Sequence, residues 1–152
     1  MTTVQFDVIG VPAPQGSKTR MPNGVILEGR REAQRARHRS WRDSVATAAR
    51  EASQSLSEPL SGPITASVTF RFPMPQARPK RLRLVGHAPK TTTPDLSKIL
   101  RATEDALVDG GLIVDDRLIW RYERLEKLEI AAGWTGATIT LTTNEDEPQE
   151  AA

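Results

Sequence analysis

Apolar and polar positions alternate along residues 3–9, Thr-Val-Gln-Phe-Asp-Val-Ile, which predicts a half-buried strand. The same period of two returns from Ile64 to Phe72, where Ile, Ala, Val, Phe and Phe are separated by polar residues. Further strands are expected near 118–130 and 134–143, and Val25 to Leu27 suggests a short one. Helical spacing takes over between Ser40 and Ser53, with Trp41, Val45, Ala48 and Ala49 on one face and Arg42, Asp43 and Arg50 elsewhere. It recurs at about 95–109, where Ile99, Ala102, Ala106 and Leu107 mark a buried side. The order β-(β)-α-β-loop-α-β-β predicts an α/β (α+β) fold in a single domain, a mixed sheet carrying two main helices.

Two segments fall outside this patterning. Gly10 to Thr19 reads as a loop from its prolines and glycines. It approaches a phosphate-binding P-loop, but Ser17 precedes Lys18 where a glycine is needed, and Pro12 and Pro14 remove backbone N–H donors. No nucleotide cofactor is expected there. Residues 73–93 hold four prolines, five basic side chains and three consecutive threonines, which predicts a long loop of functional or disordered character.

With 152 residues the chain is long enough to bury a real core in one domain. That domain is placed at 1–143, followed by a short acidic tail, 144–152, expected to be disordered. There are no cysteines, which excludes disulfides, thiolate nucleophiles and thiolate zinc sites. With no long apolar run and no leader-type N-terminus, the expectation is a soluble, cytoplasmic protein with no membrane association.

The formal net charge of +2 understates the basic character of the body. Without Glu145, Asp146, Glu147 and Glu150, four of the 19 acids, the rest of the chain carries 21 basic side chains against 15 acidic, a net of +6. Six arginines lie between Arg30 and Arg42, and Arg78, Lys80, Arg81, Arg83 and Lys90 form a second cluster. A solvated surface is the plain reading of each cluster; together they suit a polyanion. Lys18, Arg37, Arg39, Arg78, Lys80, Arg81 and Lys90 are the candidate DNA contacts. His38 and His87, the two histidines, sit in basic polar segments and are expected to be exposed or to face DNA.

The densest chemistry runs from Pro94 to Asp116. Thr93-Pro94-Asp95 suits a helix start, with threonine as N-cap, proline at the first helical position and an acid in the first turn. That explains Asp95 structurally, since the helix dipole favours a carboxylate there by roughly 0.3–1 kcal/mol. However, Lys98, Arg101 and Asp105 continue a polar stripe at spacings of three and four. Gly110-Gly111 then ends the helix, and the apolar run Leu112-Ile-Val114 stops at Asp115-Asp116. If the path folds back, Asp95, Asp115 and Asp116 converge beside Lys98 and Arg101. Carboxylates so placed suit magnesium, which takes oxygen ligands from one or two acids, waters and substrate phosphates. The ion activates water and neutralises charge at a scissile phosphate, and a nearby cation assists.

These residues resemble the RusA-type crossover-junction endodeoxyribonucleases typical of phages and prophages. The resemblance rests on Pro94-Asp95-Leu96-Ser97-Lys98, on Arg101 through Asp105-Ala106-Leu107, and on the apolar run into Asp115-Asp116. Gly10 through Thr19 is similar to the N-terminal loop of phage members. It implies a dimeric α/β enzyme that resolves four-way (Holliday) DNA junctions in recombination and repair, with Mg2+ or Mn2+ as cofactor. It further implies that Asp95 and Asp116 are catalytic acids, with Asp115 beside them as a metal ligand, and that Arg101 stands where the family has a functional lysine. Ser97 replaces the second acid of the family's Asp-x-Asp pair, so Lys98 and Arg101 are the cations expected near the reaction. The alternative is a branched-DNA-binding protein without catalysis.

Overall fold

The computed structural model describes residues 1–14 and 28–144, with only the helical path given along 28–40. The loop from residue 15, the short strand at Val25 to Leu27, Lys18, the side chains of Arg37, His38 and Arg39, and the acidic tail from Glu145 lie outside the described residues.

Strands β1 (Thr2–Ile9), β2 (Ile64–Pro73), β3 (His87–Pro89), β4 (Ile119–Ile130) and β5 (Gly136–Thr143) form one sheet in the order β1-β5-β2-β4-β3. Only the β2–β4 pair is parallel. The alternation read from the sequence is realised in β2, whose Ile64, Ala66, Val68, Phe70 and Phe72 are buried.

Helices α1 (Glu28–Ser53), α2 (Lys80–Val85) and α3 (Leu96–Asp109) complete the domain. Trp41, Val45 and Ala49 of α1 share one core with Ile99, Ala106 and Leu107 of α3 and the apolar face of the sheet. Trp41 Nε1 donates to Thr103 Oγ1 at 3.2 Å, and that hydroxyl donates to the Ile99 carbonyl at 2.8 Å, so both of these buried side chains are satisfied. Gly110 lets the helices approach closely. A Cβ there would lie 2.5 Å from the Ala46 carbonyl oxygen and 2.7 Å from the Ala49 Cβ.

Two expectations change. Helix α1 begins at Glu28, twelve residues before the apolar spacing starts. Its first part is rich in Arg, Glu, Ala and Gln, good helix formers that leave no apolar period to read. The segment 73–93 is not structureless. Pro79 precedes α2, Gly86 closes it in the left-handed conformation, and β3 pairs with residues 128–130 of β4. No residue of α2 is buried, so the sequence carries no helical stripe there.

The parallel β2–β4 pair requires a crossover, and α3 lies on that crossover. The chain leaves β2 at one end of the sheet and enters β4 at the other. Lys127, late in β4, donates to the carbonyls of Thr92 and Pro94 at 2.7 Å each, beside the start of α3. Tyr122, early in β4, donates to Glu104 Oε2 at 3.1 Å, nine residues further along α3 than Asp95. Helix and strand thus run in opposite directions, which separates the two acidic groups of the motif.

Candidate active site

Asp95 occupies the N-cap position itself, and Pro94, joined to Thr93 by a cis peptide, precedes the helix instead of opening it. The Asp95 side chain makes no capping hydrogen bond and lies 3.6 Å from Lys98 Nζ. The carboxylate thus stays at the positive end of the helix dipole, as expected, but caps no backbone N–H. Lys98 and Arg101 are exposed along the same helix.

At the other end, the segment after α3 is pinned to the core. Leu60 donates to the Leu112 carbonyl at 2.9 Å, and Val114 donates to the Leu60 carbonyl at 3.0 Å. Beyond this anchor Asp115 caps a short 3-10 turn, Asp116–Leu118. Its carboxylate accepts from the Arg117 backbone N–H and from Arg117 Nη2, both at 2.9 Å. The Arg117 hydrogen bonds hold the Asp115 carboxyl at about 2. Its contribution to stability is complete above the ordinary aspartate range and is lost as pH falls through about 2. In Arg117→Ala the Asp115 midpoint should rise toward the ordinary aspartate value, which a carboxyl-resolved NMR titration measures.

Asp115 and Asp116 line a cavity of about 200 Å³ together with Arg42, Asp105, Val108, Asp109 and Val114. Two of these acids are committed to cations, Asp115 to Arg117 and Asp109 to Arg42, whose Nε donates at 2.9 Å. Next to them, burial is the main cause that pushes the Glu104 carboxyl up. Asp116 and Asp105 add repulsion in the same direction, while the Tyr122 hydroxyl partly offsets them. Burial first, then Glu104, also pushes the Tyr122 phenol up.

Asp115 and Asp116 therefore line the same cavity as Asp105 of α3. Asp95 does not line this cavity. At 1.5 Å per residue, roughly 13 Å of helix axis separates residue 95 from residue 104. Among the described residues, no three acidic, cysteine or histidine side chains are grouped so as to hold one ion. The expected convergence of Asp95, Asp115 and Asp116 on one ion is not formed, because the crossover helix spaces them apart.

What the cavity does offer is the carboxylates of Asp105 and Asp116, with the Arg42 guanidinium among them bound to Asp109. One or two carboxylates completed by water suffice for magnesium, so Asp105 and Asp116 fit a hard divalent ion. Reading the motif missed the part played by Asp105, taken as a member of a polar stripe, and by its neighbours Glu104 and Tyr122. The stripe itself was the available signal.

The basic candidates divide. Lys80 and Arg81 are exposed on α2. Arg78 makes a two-pronged bond to Glu129, Nη2 to Oε1 at 2.8 Å and Nε to Oε2 at 2.9 Å, which fastens the arm to β4. Lys90 donates to Thr92 Oγ1 at 2.9 Å and its ammonium lies 5.0 Å from the Phe72 ring centroid. Burial is the first cause that lowers its pKa. Among the described residues no helix is long and apolar enough to cross a membrane.

A family model described as Endodeoxyribonuclease RusA matches residues 13–141. No curated protein matches the chain.

Proposed function

Because the chain belongs to the RusA endodeoxyribonuclease family, we propose that it is a magnesium-dependent nuclease that resolves four-way DNA junctions, in the setting of phage recombination and repair. The observation that supports this reading most is the cavity that Asp105, Asp115 and Asp116 all line. Magnesium, with manganese as a substitute, would supply an activated water and charge neutralisation when bound there. Asp116 and Asp105 would hold the ion, and Asp115, oriented by Arg117, would shape the rim.

The exposed stripe of α3 leads from Asp95 through Lys98 and Arg101 to Asp105. A DNA strand laid along it would place phosphates against the two cations and reach the cavity. Asp95 stays in the proposed catalytic set as the acid at the upstream end of this track, acting on the strand instead of completing the same ion shell. Lys80, Arg81 and Lys90, with Lys18, Arg37 and Arg39, supply further phosphate contacts that weaken as salt rises. Resolution needs two symmetric cuts, which a homodimer provides with one site per strand.

The test is incubation of purified protein with labelled four-way and linear duplex DNA, with magnesium or with chelator. Paired cuts confined to the branched substrate and lost in chelator are expected. Retarded junctions without any metal-dependent nick would make the chain a branched-DNA-binding protein instead.

A further inference from the structure

Strand β4 carries two irregularities against β2, an uncommon feature between parallel strands. Ile64 pairs with Ile119 but Thr65 pairs with Arg121, which leaves Trp120 as an extra residue. Ala66 pairs with Tyr122 but Ser67 pairs with Arg124, which leaves Glu123 as another. Between the bulges Tyr122 stays half-buried against Glu104, so the strand keeps its hold on α3 while its neighbours are re-aimed.

Trp120 is the largest side chain so displaced, and it is 66 % exposed. Single exposed apolar residues are ordinary, but three observations set this one apart. It stands two residues beyond the 3-10 turn that carries Asp116. Arg117, Arg121 and Arg124 lie near it in the chain, all exposed, with Arg117 bound to Asp115 and Arg124 3.6 Å from Glu126. Among the described residues, no strand pairs with the part of β4 that bears it on its outer side, because β3 covers only residues 128–130. Trp134, by contrast, already has a partner, the Arg71 guanidinium at 4.7 Å from the ring centroid.

An exposed indole with arginines close by in the chain suits a nucleobase whose own backbone is anionic. Base–aromatic stacking is tolerant of sequence because every base has a π-face. Double-helical DNA hides those faces, whereas a branch point exposes them. We infer that Trp120 stacks on a nucleobase face left unstacked at the branch and so selects branched over continuous DNA at the site ahead of it. This rests on the junction-nuclease reading above and adds a specificity residue to it.

The test compares wild type, Trp120→Ala and Trp120→Phe in chelator, using a four-way junction with 2-aminopurine at the branch and the matching linear duplex. Wild type is expected to change the 2-aminopurine emission on binding the junction. Trp120→Ala should lose that change and bind the junction about 5- to 150-fold more weakly, the span corresponding to about 1–3 kcal/mol of stacking. Binding of linear duplex should hardly move, and Trp120→Phe, which keeps an aromatic face, should restore most of both signals. Equal weakening on junction and duplex, an unchanged junction affinity, or a change in oligomeric state with the emission signal intact would each overturn the stacking role. If wild type cuts junctions with magnesium while Trp120→Ala matches it throughout, only this inference fails. If wild type neither retards nor cuts junctions, the reading beneath it fails as well.

Discussion

Asp116→Asn should lower the rate of junction cutting by more than about 100-fold while leaving junction binding in chelator as strong as wild type or stronger. Asparagine keeps the shape of the side chain and one carbonyl oxygen but removes the anionic charge that a hard ion requires. Changing residues that merely orient metal ligands costs about 10- to 100-fold, so loss of a ligand should exceed that. Binding should hold because the lost charge faces the phosphates and repels them. Asp116 is half-exposed in a turn anchored by Leu60 and capped by Asp115, so the variant should fold normally. Single-turnover cutting at saturating protein separates the two effects. A variant that cuts within tenfold of wild type, or one that loses binding while cutting normally once bound, would remove Asp116 from the proposed machinery.

The second large effect concerns stability. Glu129 is only 1 % exposed, and its carboxylate is held by the Arg78 fork. That hydrogen bonding is the first cause that lowers its pKa, against the opposing effect of burial. Arg78→Ala would leave a buried carboxylate with Lys90 as a weaker compensating charge. Breaking a buried pair by removing one partner costs about 3–5 kcal/mol, and the low end applies because the Arg78 side chain is 31 % exposed. At about 2–4 °C per kcal/mol for a chain of this size, Tm should fall by about 6–12 °C near neutral pH. The sign of the pH dependence provides a check. In wild type the pair stabilises fully above the ordinary glutamate range and its contribution fades as pH falls through the lowered Glu129 value. In the variant Glu129 is relieved by protonation, so the gap in Tm should narrow on acidification. A gap under about 2 °C at neutral pH, where surface changes usually fall, or one that widens in acid, would show that Arg78 is a surface cation free for DNA.

Strands β1, β2, β4 and β5 and helix α3 were legible from the periods of two and 3.6, whereas the three-residue β3 was too short to show one. The first turns of α1 and all of α2 were not, since neither presents an apolar stripe among its residues. The separation of Asp95 from Asp115 and Asp116 was hidden for a different reason. Patterning tells which face a residue takes but not at which end of the sheet it lies, and only the parallel pairing of β2 with β4 decides that. Trp120 escaped notice similarly, because an inserted residue breaks the alternation that would have marked its direction. Asp105 was visible as part of a stripe, and its sharing of a cavity with Asp116 needed the turn after Gly111 to be seen in place.

The proposed chemistry depends on the acids at the far end of α3 seating a divalent ion. Manganese titrated into isotope-labelled protein tests it without depending on DNA or on catalysis, through the broadening of amide signals near the bound ion. Residues 104–106 and 115–117 should broaden first, and Asp116→Asn should abolish this at the same manganese concentration. Broadening that begins elsewhere while both segments stay sharp, or that persists unchanged in the variant, would contradict it.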